Sequence, residues 1–584
     1  MQREEGTSVG AVSSPSTADD AGLRALAALL VVTLVSLLLR LHSLGTRTFH
    51  WDEGRVGYWI LRYHETGQFS YRPIIHGPLI QHVDALLFHV VPATDFWARF
   101  PVAVVTAVLP LSVWLLRRHL DEVEMVALGL LLTFDPLLLY YSRFMRSDAL
   151  VATFAFVVFA LLVRAYDTRR PRLGYPAAVA LALAFGSKEN ALIYVLCLLG
   201  AAGLVYDHHL VRAATREIGA ADRLRTDIAA ARRWLNRASG DVHPVLWVAG
   251  GLSGALLVFL TVVVLLYAPR PEIWTALDGP AQFASVVKAG TLDAAGRFVE
   301  GWVEAGHRDH PYFAFLHDML ETLLYGSPVM LSLAVVGFIA DGYGGNRRAL
   351  VAFTAYWSAV SIIGYPIATD IQAPWAAVHV VVPLAVPAAV GIGSLVRLGE
   401  YGVAKDDRAV VALAMLVLTA AAGGVVAADA DYWNSAAEED RKVLQWAQPE
   451  NDLKATLAVV DAVVRENEGR DVLFYGSEGN RFYVANESSL DQPPPGGPSW
   501  HSRLPLPWYL ERAGANVTST PADTPASEAT ADPPPVVIAD AQDREALEPG
   551  LEGYVVREHR FKLWGERIVV FIDREAMAAA GTSG

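Results

Sequence analysis

The chain contains uninterrupted apolar stretches that are long enough to cross a lipid bilayer as helices. Residues 244–267 and 409–428 carry no charged side chain, and His379 is the one ionisable residue in 371–396. A helix of about 20 apolar residues spans the hydrocarbon core and satisfies its own backbone hydrogen bonds there. With 53% hydrophobic and 18% charged residues, the composition agrees with a membrane protein and excludes a cytosolic globular enzyme.

Eight shorter or less apolar stretches raise the predicted number of spans to about eleven. They cover residues 23–41, 98–116, 125–141, 149–163, 175–185, 191–206, 328–340 and 350–365. Alternate loops differ in charge, because one set holds 20 Lys and Arg residues and the other, longer set holds 11. The positive-inside rule then predicts a cytoplasmic N-terminus and an external C-terminal region.

The C-terminal region differs in composition from the rest of the chain. Residues 429–584 contain 27 acidic and 14 basic residues, so nearly all of the net charge of −14 lies there, which excludes a nucleic-acid-binding protein. Helical spacing in 453–464, β-type runs at 471–475 and 535–539, and alternation in 555–572 predict a small α/β domain. We therefore predict an α-helical polytopic membrane domain (residues 22–428) followed by an acidic extracytoplasmic α/β domain (429–584).

Other segments are assigned by composition. Residues 1–21 are predicted to be a disordered cytoplasmic tail, and residues 42–97 and 268–327 are long external loops, whose length favours a function. Residues 207–243 hold seven Arg with apolar residues at helical spacing, which indicates a cytoplasmic amphipathic helix on anionic headgroups or a solvated linker. Only six of the 47 basic residues are Lys, and this acidic, Arg-rich composition suits high-salt, halophilic surroundings.

Ionisable residues recur at the start of the first long loop and in the two short external turns that follow. They are Asp52 and Glu53 beside Trp51, then Arg143, Arg146 and Asp148, and then Lys188 and Glu189. Charges at a membrane surface are costly unless they face water, each other or a ligand. Cations there suit a phosphate and carboxylates suit proton transfer. Solvated loops, interfacial snorkelling and a Lys–Glu pair are the structural alternatives.

Two further loop segments contain histidine. His76 lies in the first long loop, and His307 and His310 precede Tyr312 in the second. Histidine and aspartate at this density could bind a divalent metal, but the spacing is unspecific and loop hydrogen bonds or sugar binding fit as well. We therefore predict no metal and no other cofactor.

These motifs resemble the membrane glycosyltransferases of the GT-C fold. The resemblance rests on the Trp-Asp-Glu motif, His-Gly-Pro-Leu at 76–79, the Arg-and-Asp turn after the third span and the soluble tail, and it covers residues 23–396. The chain is most similar to the archaeal flippase-activity-associated proteins, relatives of the dolichyl-phosphate-mannose protein mannosyltransferases and aminoarabinose transferases. Residues 505–513, Pro-Leu-Pro-Trp-Tyr-Leu-Glu-Arg-Ala, also look like that narrower family.

The resemblance implies that a sugar passes from a polyprenyl-phosphate donor to a glycan or protein acceptor on the external face. It gives Asp52 or Glu53 the role of general base and Asp148 that of a second carboxylate. Donor phosphate contacts would be Arg143, Arg146 and Lys188, and substrate contacts would be Trp51, His76, Glu189, His307, His310 and Tyr312. The expected partners are the lipid-linked sugar, the bilayer, the acceptor, and a flippase or other glycosylation components.

Two alternatives remain from the sequence. A non-catalytic flippase, or a protein associated with one, would need the same cations but not Asp52 as a base. An ion-coupled transporter would need charged groups in the middle of spans, and Asp135 is the one such residue.

Overall fold

The computed structural model describes residues 15–73, 77–214, 219–304, 310–344, 347–369, 372–437, 442–444, 447–476, 481–487, 498–562 and 565–582. The part before residue 433 is helical. Its helices are α1 (Pro15–Leu41), α2 (Trp51–Thr66), α3 (Pro78–Leu87), α4 (Asp95–Ala107), α5 (Glu122–Phe134), α6 (Pro136–Tyr141), α7 (Asp148–Thr168), α8 (Gly174–Ser187), α9 (Ala191–Ala214), α10 (Ala220–Ala238), α11 (Pro244–Tyr267), α12 (Pro280–Lys288), α13 (Ala294–Phe298), α14 (Tyr312–Gly326), α15 (Pro328–Tyr343), α16 (Ala349–Ala368), α17 (Val378–Ala404) and α18 (Arg408–Tyr432). Short 3₁₀ turns cover Leu109–Leu116, Pro171–Leu173, Glu272–Leu277 and Pro374–Ala377, and π-helical turns cover Ala289–Asp293 and Val299–Glu304.

Within the described ranges, eight helices are long and apolar enough to cross a membrane, and the pair α14–α15, bent by 94°, is a ninth candidate. The predicted α-helical polytopic fold is therefore confirmed. The sequence predicted eleven spans, and the difference lies in two shorter elements. Asp135 and Pro136 divide residues 125–141 into α5 and α6, since the Asp135 side chain caps α6 at the Leu138 amide. The other is α8, which has 14 residues.

Two predicted segments contain more helix than expected, and a third contains the helix that was one of its two interpretations. Helix α1 begins at Pro15, inside the segment predicted to be disordered, and residues 42–97 contain α2, α3 and the start of α4. The predicted amphipathic segment 207–243 contains α10, in which no residue is buried.

Helix α17 lies at the centre of the bundle and packs against α15 without intervening side chains. A methyl group at Gly337 of α15 would overlap the carbonyl oxygen of Pro387, and one at Gly391 would overlap that of Leu333. Only glycine allows the two backbones this approach, because the atoms in the way are main-chain oxygens that cannot rotate aside.

The C-terminal region is a small α/β domain, as predicted. Its elements are α19 (Leu453–Glu466), β1 (Val472–Tyr475), α20 (Pro498–Ser502), α21 (Leu506–Ala513), β2 (Val517–Ser519), α22 (Ala526–Ala529), β3 (Val536–Asp540), α23 (Arg544–Leu547), β4 (Tyr554–Lys562), β5 (Glu566–Asp573) and α24 (Arg574–Ala579). The strand order is β2-β1-β3-β5-β4. β1 is parallel to β2 and β3, whereas β5 is antiparallel to β3 and β4. Strand β2, three residues at the sheet edge, was not predicted.

This domain docks on helix α2 and on the start of α4. Trp508 and Tyr509 of α21 both donate to the Asp95 carboxylate, at 3.0 and 2.9 Å, and Lys454 of α19 lies 2.7 Å from it. A side chain at Gly57 of α2 would meet the Trp508 ring at 2.6 Å. The domain therefore lies directly against the helix whose first turn carries Asp52.

We predict that Gly337→Ala lowers the free energy of unfolding by about 1–3 kcal/mol, because the helices α15 and α17 must move apart. The matched control is Gly364→Ala in α16, since no atom lies within 4 Å of a Cβ there. That control should be neutral or stabilise by about 0.5–1 kcal/mol. Thermal unfolding in detergent, followed by tryptophan fluorescence, compares the two; equal melting temperatures would contradict the packing described here.

Candidate functional site

The first turn of α2 is closed by a reciprocal hydrogen-bond pair at its start. The His50 amide donates to Glu53 Oε2 at 2.9 Å, and the Asp52 amide donates to His50 Nδ1 at 3.1 Å. This capping box fixes the direction in which α2 leaves the preceding loop. Carboxylates are also stabilised at a helix N-terminus by the helix dipole, so both Asp52 and Glu53 lie in a favourable place.

Glu53 is fully buried and both of its oxygens are occupied. Arg99 of α4 donates to Oε1 and Oε2, each at 2.7 Å, and the Met145 amide donates to Oε1 at 2.7 Å. The same guanidinium binds the carbonyl oxygens of Leu44, Arg47 and Thr48. Glu53 therefore joins α2 to α4 and to the turn at residues 142–147, and it has no oxygen free for a substrate.

Asp52 has a different environment from its neighbour. Its Oδ2 is ion-paired with Arg146 Nη1, and its Oδ1 is buried without a hydrogen-bond partner among the described residues. Burial raises the pKa of Asp52 above that of an ordinary aspartate, against the opposing charges of Arg146 and Arg55. Asp52 is thus a carboxylate of increased basicity with one oxygen available.

Asp148 and Lys188 complete the cluster around Arg146. Asp148 is the first residue of α7, and its Oδ1 accepts from Lys188 Nζ at 2.8 Å. Arg146 Nη2 lies 3.5 Å from Asp148 Oδ2, so this guanidinium bridges the carboxylates of Asp52 and Asp148. The guanidinium carbon also lies 4.0 Å from the centre of the Trp375 ring. The structure therefore brings together Asp52, Arg146, Asp148 and Lys188 from three separate turns.

Two residues at the cluster were missed by the sequence analysis. Arg55 lies one turn after Asp52 on α2, and its charge acts on the Asp52 carboxylate. The i, i+3 spacing places both on one helix face, so this residue could have been found. His379 of α17 lies 3.3 Å from Asp148 Oδ1, and no sequence pattern relates two residues that are 231 positions apart.

Trp51 connects the cluster to the C-terminal domain. Its indole N–H donates to the carbonyl oxygen of His501 at 3.0 Å, and the rings of Trp51 and His501 are 5.3 Å apart. Arg55 lies over the Trp51 ring at 5.9 Å. The C-terminal domain is therefore one wall of the site.

The structure places other predicted site residues elsewhere. Arg143 donates to the carbonyl oxygens of Trp433 and His42, at 2.6 and 2.8 Å, and its guanidinium therefore stabilises the ends of α18 and α1. Glu189 does not pair with Lys188; it accepts from Tyr71 at 2.6 Å, and burial raises its pKa to about 7.

Two predicted residues of the second long loop, His310 and Tyr312, also lie apart from the cluster. His310 contacts the Thr369 carbonyl at 2.8 Å and Tyr312 donates to the Ile363 carbonyl at 3.4 Å. His76 and His307 lie outside the described residues. In the described part of the chain, one group could share a metal ion, His317, Asp318 and Glu321 of α14, and it is not part of the cluster.

Comparison with known proteins relates two parts of the chain to protein families. Residues 75–218 match the family model of dolichyl-phosphate-mannose-protein mannosyltransferase, and residues 453–573 match that of the Agl23 flippase-associated protein C-terminal domain. No curated protein matches the sequence.

Solved structures show the same fold. ArnT from Cupriavidus metallidurans in the apo state has a TM-score of 0.54 and 14% identity over 95% of this chain and 98% of that chain. ArnT bound to undecaprenyl phosphate gives 0.53 and 15% over 93% and 97%. The chain is therefore a multi-pass membrane protein of the GT-C fold. Its C-terminal domain relates it more narrowly to the Agl23 flippase-associated protein, and both resemblances predicted from the sequence are confirmed.

We predict a large loss of stability when Glu53 is replaced and only a small change when its neighbour Asp52 is replaced. Glu53→Gln leaves the buried Arg99 charge uncompensated and should destabilise by about 3–5 kcal/mol. Asp52→Asn should change stability by less than about 1 kcal/mol. Arg146 keeps its ion pair with Asp148 in this variant, and burial already disfavours the Asp52 charge. Thermal unfolding of both variants in the same detergent checks this; a larger loss for Asp52→Asn would show that the two roles are reversed.

Proposed function

We propose that the protein is an integral membrane glycosyltransferase that transfers a sugar from a polyprenyl-phosphate donor to an acceptor hydroxyl on the external face of the membrane. The observation that carries this proposal is a basic carboxylate, Asp52, with one free oxygen beside the cations Arg146, Arg55 and Lys188. The match of residues 75–218 to a mannosyltransferase family and the lipid phosphate bound by ArnT support the donor class. The acceptor would be a glycan or a protein.

The reaction needs a base and a stabilised leaving group, and the cluster offers both. Asp52 Oδ1 would take the proton of the acceptor hydroxyl while the acceptor oxygen forms its bond to the anomeric carbon. The bond from that carbon to the phosphate oxygen would break, and the polyprenyl phosphate would leave with the electron pair. Arg146, Arg55 and Lys188 would stabilise the charge of the phosphate.

The two cations that contact Asp148 have different freedom. Arg146 is held between two carboxylates and is 1% exposed, whereas the Lys188 side chain is 12% exposed and, among the residues that the structure describes, forms its ion pair with Asp148. Lys188 is therefore the cation that can turn to a phosphate at the least cost. Arg146 would keep Asp52 oriented throughout the reaction.

A second function is a non-catalytic role in the translocation of lipid-linked saccharides. The match of residues 453–573 to the domain of a flippase-associated protein favours it. This role would use the same cations to bind the lipid phosphate, but it would not use the free oxygen of Asp52. The two functions are therefore separable by experiment.

Sugar transfer from a labelled polyprenyl-phosphate donor should fall by about 10²-fold or more in Asp52→Asn, because the base is lost. The matched control is Asp84→Asn on α3, a fully buried carboxyl without a hydrogen-bond partner in the described chain, whose pKa burial raises well above the usual value. Because burial disfavours the charged form of Asp84, replacing it with the neutral amide should retain transfer. External glycan modification that is retained in Asp52→Asn but lost in Arg146→Ala would favour the translocation role.

The pH dependence gives an independent test of Asp52 as the base. Its raised pKa means that Asp52 becomes protonated, and inactive as a base, at a higher pH than an ordinary aspartate of pKa about 4. We expect kcat/KM to fall as the pH is lowered through this raised pKa, about tenfold per pH unit. A profile that is flat from pH 8 to pH 4 would contradict the assignment.

A further inference from the structure

Asp148 receives its hydrogen bonds from residues that differ in their freedom to move. Lys188 Nζ and His379 Nε2 lie 2.8 and 3.3 Å from Oδ1. We infer that His379 is a positioning residue, which holds the Asp148 carboxylate in place when Lys188 turns to the donor phosphate. This inference rests on the proposed donor class and goes beyond it by assigning a role to α17.

The hydrogen bonds of His379 are consistent with one state of its ring. The ionised Asp148 carboxylate can only accept, so Nε2 must carry a hydrogen in order to donate to it. Nδ1 lies 2.6 Å from the Tyr194 hydroxyl, which can donate. A neutral imidazole with its hydrogen on Nε2 satisfies both contacts. The acceptor-only carboxylate of Asp148 selects this tautomer, and the Tyr194 hydroxyl can donate to Nδ1.

The ring of His379 cannot leave this position without disturbing two neighbouring helices. Tyr365 of α16 stacks on it, with ring centroids 4.5 Å apart and planes inclined by 15°. Tyr194 of α9 lies edge-on at 5.2 Å. Because His379 is 1% exposed, helices α9, α16 and α17 together hold its Nε2 towards Asp148.

A buried carboxylate that loses a cation partner must keep other donors. When Lys188 contacts a phosphate, Asp148 would retain His379 and Arg146. Without His379, the Asp148 charge would depend more on Lys188 and would oppose its movement. Loss of His379 should therefore weaken donor binding more than it weakens the fold.

The test compares His379→Leu, which removes the donor, with His379→Gln, whose amide N–H₂ can take the place of Nε2. The matched control is His208→Gln, because His208 of α9 also pairs with a tyrosine of α16, Tyr356, at 3.1 Å, outside the cluster. Two readouts are measured: KM for the polyprenyl-phosphate sugar, and the rise in melting temperature caused by undecaprenyl phosphate.

We expect His379→Leu to raise KM for the donor by about 10-fold to 100-fold and to remove the thermal shift. His379→Gln should recover most of both, and His208→Gln should behave as the wild type. Wild-type KM and shift in His379→Leu would overturn the inference. So would equal losses in the Leu and Gln variants that accompany a lower melting temperature without added lipid.

The thermal shift separates this inference from the proposed function. A lipid-induced shift in the wild type and His379→Gln that is absent in His379→Leu supports the positioning role even when no sugar is transferred. In that case only the proposed transferase activity is overturned. A wild type that shows neither transfer nor shift overturns both the donor class and the role of His379.

Discussion

The buried ion pair between Glu53 and Arg99 is the constraint on which the site depends. The two charges are tolerated in the interior because Arg99 Nε and Nη2 each donate to one carboxylate oxygen of Glu53. The guanidinium also donates to the carbonyl oxygens of Leu44, Arg47 and Thr48. This pair fixes the start of α2 against α4. Through the Met145 amide it also fixes the turn that carries Arg146. The position of Asp52 relative to Arg146 follows from these contacts.

Within a few residues of each other, the site contains charged groups that are fixed by hydrogen bonds and charged groups that keep a polar atom available. Both oxygens of Glu53 and both terminal nitrogens of Arg143 are hydrogen-bonded. Asp52, by contrast, keeps an oxygen without a hydrogen bond among the described residues, and Lys188 keeps a partly exposed ammonium. The C-terminal domain takes part in this, since Trp508 and Tyr509 bind Asp95 on the helix that carries Arg99, and His501 binds Trp51. The domain therefore contacts the site through Trp51 and supports the helix that carries Arg99.

Much of the fold follows from local patterns in the sequence. Apolar length predicted most spans, short β-type runs predicted β1 and β3, and residue alternation predicted the β4–β5 hairpin. These signals all reflect burial within one element. The roles of Asp52 and Glu53 could not be separated in this way. Adjacent residues on a helix point about 100° apart, and only the packing of α4 decides which carboxylate pairs with Arg99. Arg143 and Arg146 lie in one turn, and their different roles also depend on tertiary contacts, with Trp433 and with Asp52 respectively. His379 is distinctive in the sequence as the one ionisable residue in 371–396, but its contact with Asp148 depends on tertiary packing, so its role could not be predicted.

A structure of the protein with a bound polyprenyl phosphate would test the central claim most directly. The account predicts phosphate oxygens about 2.7–3.2 Å from Lys188 and Arg146, with Lys188 turned away from Asp148 and the His379–Asp148 contact intact. A phosphate bound away from this cluster, with the Lys188–Asp148 pair unchanged, would contradict it.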